Sequence, residues 1–179
     1  GANTLSIAAG GSVARAAGHV AGNLRKNAAL GATSRTFEVG SGANYTPVTV
    51  AFGDVTVAGN LTAFTTVGDH PNIGASDLIA AKTVNRYWTL TNAGITFNNY
   101  SATFNFVAGD LDAGTNTNIF WVRKYDAPLW TLPTIGARTV TSTQATGLTS
   151  FSAFAIGEIT NPVPTLPGPL APNLGNRLQ

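Results

Sequence analysis

The chain has 179 residues, 44% of them hydrophobic and only 10% charged, with a formal net charge of +2. That length suits one domain with a core of its own. The ten cations are scattered singly or in pairs, which argues against nucleic-acid binding, and the lack of cysteine excludes disulfides, thiolate zinc sites and cysteine nucleophiles.

A beginning at Gly1-Ala2-Asn3, without Met, predicts a processed chain or a fragment. Residues 1–31 form an Ala- and Gly-rich N-terminal arm. Within it, Leu5-Ser6-Ile7 and Val13-Ala14-Arg15 are expected as short strands separated by Gly10-Gly11. A helix over 12–21 is the alternative; Gly18 and the poor apolar spacing oppose it.

Residues 32–158 carry strand signals at short intervals, near Arg35–Val39, Thr46–Phe52, Val55–Val57, Asn60–Thr66, Val84–Thr91, Ala102–Val107, Ile119–Tyr125, Arg138–Ser142 and Phe151–Ile156. The clearest is the run from Val84 to Val107. There Val84, Arg86, Trp88 and Leu90 alternate with Asn85, Tyr87, Thr89 and Thr91, and the pattern resumes at Ala102, Phe104 and Phe106 after Asn92-Ala93-Gly94. Period-two alternation places one set on a buried face and the other in solvent. Between the strands lie Gly-, Asn-, Asp- and Pro-rich turns, and Ser76–Ala81 is expected to make one helical turn with Ser76 as its N-cap. The expected fold is therefore all-β: an antiparallel β-sandwich, Ig-like or jelly-roll-like, with an extended N-terminal arm and a Pro-rich C-terminal tail over 159–179. The tail sequence from Asn161, NPVPTLPGPLAPNLGNRLQ, holds most of the nine prolines and should lie outside any sheet.

The pieces GNLRKN (22–27), SRTFEVGSGANYTPVTVAF (34–52), AGNLTAFTTVGDHPNI (58–73), AKTVNRYWTLTNAGITF (81–97), ATFNFVAGDLDAG (102–114) and TSFSAFAIGE (149–158) fall in an order and spacing that carry a likeness. Across about 22–158 the chain resembles an extracellular β-sandwich module of large secreted and surface proteins of Bacteroidetes bacteria. The likeness implies a secreted, cell-surface setting and supplies no catalytic residue. Only about twenty residues stand ahead of GNLRKN, fewer than the repeats that precede the module in that family, so the chain is expected to be either an excised piece or a small subunit that has taken over the module.

Candidate chemistry is sparse. The two histidines, His19 and His70, are far apart, no G-x-S-x-G elbow is present, and the eight acids suggest no paired carboxylates across a sugar cleft. Asp69-His70-Pro71-Asn72 reads as a stiff turn in which Asp and Asn bond their own backbone. Asp110 and Asp112, alternating ahead of Gly114, are the candidate calcium ligands, with Asp126 a further contributor; the fit to a calcium-binding EF-hand loop fails at Gly114 and Trp121. Trp88 and Trp121 are expected in the core, and Trp130 partly exposed in a loop, where it could touch a surface glycan or a protein. Three Asn-x-Ser/Thr triplets begin at Asn44, Asn60 and Asn99 and carry little weight in so Asn- and Thr-rich a chain.

The function expected from this pattern is non-enzymatic: a structural subunit of an extracellular filament or surface layer that polymerises with copies of itself. Leu5, Ile7 and Val13 in the N-terminal arm and Leu166 and Leu170 in the tail are the expected assembly residues. Uncharged strands such as Thr46–Phe52 would accept an extended segment. An adhesive or carbohydrate-binding module of a larger secreted protein is the alternative. No cofactor other than calcium is expected.

Overall fold

The computed structural model describes residues 3–160. Among them are fifteen strands, three short 3-10 turns and no α-helix. In chain order the strands begin with β1 (Thr4–Ile7), β2 (Asn23–Ala28), β3 (Gly31–Phe37), the short pair β4 (Gly40–Ser41) and β5 (Asn44–Tyr45), β6 (Val48–Val57) and β7 (Gly59–Val67). There follow β8 (Leu78–Ala93), β9 (Thr96–Phe97), β10 (Tyr100–Asn105), β11 (Trp121–Asp126), β12 (Leu129–Thr131), β13 (Thr134–Thr139), β14 (Ser142–Leu148) and β15 (Ala153–Ile159). One sheet runs β1-β2-β7-β8-β15-β11-β12; the facing sheet runs β13-β14-β10-β6-β3, with β9 attached to β6. No helix in the described residues is long and apolar enough to cross a membrane.

The two sheets share one core. Leu24, Leu61, Trp88, Leu90 and Phe154 point in from the first, and Phe37, Val50, Phe52, Tyr100 and Phe104 from the second. Ring centroids of Trp88 and Phe104 lie 5.3 Å apart across the gap, and those of Phe104 and Phe154 5.0 Å. A fully buried indole still needs a partner for its N–H, and the Trp88 Nε1 donates to the Thr46 carbonyl at 2.9 Å. The alternation read from Val84 to Leu90 holds residue by residue, since all four inward members are buried and Asn85, Tyr87 and Thr89 are only half-buried.

Several boundaries differ from the expectation. The N-terminal arm does not extend to residue 31, because β2 pairs with β7 over Leu24↔Ala63 to Ala28↔Gly59 and contributes Leu24 and Ala28 to the core. Its alternation is hidden by Lys26, which faces inward and is neutralised there by Glu38 at 2.5 Å and the Thr36 carbonyl at 2.6 Å. Val13-Ala14-Arg15 forms no strand and stays exposed. Ser76 opens no helical turn but closes the 3-10 turn Ile73–Ala75: its Oγ donates to the Ile73 carbonyl and accepts from the Leu78 N–H, and Leu78 already belongs to β8. Residue 159 completes β15 rather than opening a tail. The Pro-rich segment from 161, with Leu166 and Leu170, lies outside the described residues.

Arg86, on the inward face of β8, is 1% exposed. Its Nε and Nη2 form a two-point pair with Asp110 at 2.9 and 3.0 Å, while Nη1 donates to Ser41 Oγ at 2.9 Å and Thr65 Oγ1 at 3.2 Å. A buried charge that loses its partner typically costs 3–5 kcal/mol, whereas replacing both members by apolar groups is often neutral. Asp110→Ala should therefore destabilise the fold by about 3–5 kcal/mol. Arg86→Met combined with Asp110→Leu should restore most of that loss, as read from urea denaturation midpoints.

Candidate functional site: the N-terminal sheet edge

β1 closes one end of its sheet with the register Thr4↔Asn23, Leu5↔Leu24, Ser6↔Arg25 and Ile7↔Lys26, in parallel with β2. Neighbouring positions in a ladder share a face, so Leu5 and Ile7 turn inward beside Leu24 and Lys26. Ile7 packs against the main core, while Leu5 stays 52% exposed. Leu5, Val13, Val20 and Leu24 line a shallow apolar groove of about 230 Å³. The structure thus brings together three of the expected assembly residues, Leu5, Ile7 and Val13, on or beside one edge.

A parallel pairing needs a long crossover, and residues 8–22 supply it. Residues 8–18 are exposed throughout. Gly10 and Gly18 both adopt φ +76°, a left-handed conformation open to glycine at no steric cost. The crossover is held chiefly at its far end. Arg15 lies 3.7 Å from the Tyr45 ring centroid, the Val20 N–H donates to the Glu38 carbonyl at 2.8 Å, and the Gly40 N–H donates to the Val20 carbonyl at 3.1 Å. Ahead of that anchor, Arg25 Nε donates to Ser6 Oγ at 3.1 Å. On its outer side β1 has no strand neighbour among the described residues.

Asp110 and Asp112 prove to be structural. The Asp110 carboxylate is engaged by Arg86 and also accepts from Asn44 at 3.4 Å. Asp112 accepts from the Thr83 N–H at 2.8 Å, Thr83 Oγ1 at 3.1 Å and Asn85 Nδ2 at 2.7 Å. Burial opposes its charge, but these bonds together with the Lys82 charge hold its carboxyl below the ordinary value. Asp126 does not join them, being paired with Lys124 on its own strand. Among the described residues no group of three or more His, Asp and Glu side chains is arranged to hold a metal ion. The Asp110 carboxylate is committed to Arg86, an arginine two strands earlier whose proximity the sequence could not show.

His70, Tyr87, Tyr125 and Trp130 form a second cluster on the outer face of the larger sheet. The imidazole centroid lies 5.0, 4.6 and 5.0 Å from the three other rings. Its Nδ1 accepts from the Asn72 N–H at 3.2 Å, and Asp69 turns away to accept from Thr83 Oγ1 at 2.7 Å rather than bonding its own backbone. Trp130, half-buried on β12, packs on Tyr125 and donates its Nε1 to the Asn72 carbonyl at 3.0 Å, so its indole fastens the 69–73 loop. Trp121 departs from the core assignment. Val122 takes the inward position, and Trp121 lies half-buried with Arg123 and Arg138 near its ring at 5.6 and 5.4 Å.

No protein-family model, curated protein or solved structure matches the chain.

Burial holds the His70 pKa below its ordinary 6.5. The unfolded chain then takes up the proton before the folded one, so the His70 contribution is full above about pH 6.5 and is lost as pH falls toward the lower folded-state value. His70→Phe, which keeps an aromatic ring in the cluster, should flatten this part of the profile. Urea midpoints measured from about pH 7 to pH 5 should fall more steeply for the parent chain than for the variant; parallel curves would show that His70 does not titrate against folding.

Proposed function

We propose that this protein is a non-enzymatic structural subunit of a secreted filament or surface layer, assembled by exchange of β1 between neighbouring copies. The observation that carries the reading is the character of β1. It is a four-residue edge strand with three exposed members, paired in parallel and joined to its sheet by an exposed, glycine-containing crossover. Such a strand belongs to the low-stability end of a fold. A copy from another molecule could supply the same hydrogen bonds and the same two inward side chains, Leu5 and Ile7. Head-to-tail exchange of this kind does not close on itself and so propagates. The low charge of the chain supports the secreted setting.

The test uses the absence of native cysteine. Ser6 and Arg25 are register partners on the outer face, and adjacent strands lie about 4.8 Å apart, within reach of a disulfide. The Ser6→Cys/Arg25→Cys chain, allowed to assemble and then oxidised, should run as a reducible ladder on a non-reducing gel. Monomers closed on themselves would show that β1 stays at home. In parallel, Leu5→Asp should abolish polymers seen by electron microscopy while shifting the melting midpoint by no more than about 5 °C. Dispersed monomers of the parent chain would instead favour the adhesive or glycan-binding module.

A further inference from the structure

At the opposite end of the same sheet, β12 covers only part of β11. Its pairing spans Lys124, Tyr125 and Asp126, leaving the start of β11 open on that side. Beside the opening lies an apolar groove of about 490 Å³, lined by Trp121, Leu132, Pro133, Ile135 and Arg138. Leu132 is 56% exposed. We propose that this groove takes the Pro-rich segment 161–179 of the same chain, laid in as a polyproline-type stretch rather than added as a strand.

Two observations choose this occupant. The first is chemical. A strand adding to β11 would need its outward carbonyls, yet Arg138 Nε donates to the Phe120 carbonyl at 2.5 Å and Arg123 Nη1 to the Val122 carbonyl at 3.1 Å. With those acceptors engaged, the edge suits a chain that brings few N–H donors, and proline has none. Extended Pro-rich segments bind in grooves lined by aromatic rings, where the fixed φ lowers the entropy lost on docking. Pro162, Pro164, Pro167, Pro169 and Pro172 give the segment that character, and Leu166 and Leu170 give it side chains to bury.

The second is position. The described chain ends beside this groove through an unbroken series of contacts. The Thr160 N–H donates to the Asp77 carbonyl at 2.9 Å, the Asp77 carboxylate accepts from Arg123 at 2.5 and 2.6 Å, and Arg123 lies over Trp121. The segment therefore starts within a few residues' reach of the ring it would cover. The inference is independent of strand exchange at β1, which lies at the far edge of the sheet.

The experiment places a photoreactive benzoylphenylalanine at position 132 of the full chain and maps the adducts by mass spectrometry, using an equal mixture of heavy- and light-isotope copies. Adducts to residues 161–179 within one isotope class are the expected result, with none from a control probe at Val67, another exposed apolar position. Leu166→Asp together with Leu170→Asp should cut the adduct yield by roughly tenfold or more, the loss expected when buried leucine is exchanged for charge. Absence of adducts to 161–179, or adducts joining heavy to light copies, would overturn the same-chain assignment.

Discussion

A guanidinium sealed inside a β-sandwich sets the terms for everything packed around it. Arg86 sits among Val84, Trp88 and Leu90 on the inward face of β8, where an unpaired charge would be intolerable. Its donors are answered from three separate pieces of chain. Asp110 comes from the turn after β10, Ser41 from the β4–β5 hairpin, and Thr65 from the neighbouring strand β7. Asn44 then reaches the same carboxylate. The turn after β10 and the β4–β5 hairpin are thereby fixed to the core. The pair gives less net stabilisation than a hydrophobic substitute could, but it restricts which loop conformations the sheets accept.

The inward parity of Arg86 was legible in the sequence, because alternation alone puts it with Val84 and Trp88. Its partner was not. Asp110 and Asp112 stand close together in a glycine-containing turn, and spacing by itself gives that pattern the look of a cation loop. What decides between a metal and an arginine is proximity across the sandwich, a long-range property. The same limit explains Lys26, whose inward orientation disguised β2 as part of a solvated arm, and Trp121, whose bulk suggested core although Val122 holds the inward place. Ser76 misled for a local reason, since its hydroxyl closes a serine turn as readily as it caps a helix.

The exposed edges of the two sheets are treated unequally. β3 carries Arg35, which donates to the Asn27 carbonyl at 2.8 Å. β13 breaks its register between Ile135 and Arg138, and the bared part of β11 has its carbonyls covered by arginine. Charge and irregularity of this kind are how natural sheets discourage further pairing. β1 has neither charge nor bulge, and its inward residues are apolar. β3, β13 and the bared part of β11 are guarded in this way, whereas β1 is left plain.

The anchor at Val20 has a metric consequence. Whatever β1 does, the chain stays fastened where Val20 meets Glu38 and Gly40, so Ile7 can travel only as far as the backbone between them extends. At 3.3–3.6 Å per residue that leash is roughly 45 Å when taut, slightly more than the about 40 Å breadth of a domain this size. A copy within touching distance lies inside its radius, and one a full diameter further away does not. The crossover thereby acts as a tether of fixed maximum length: copies joined through β1 would have to lie against one another, since a gap of a further subunit's width would exceed it.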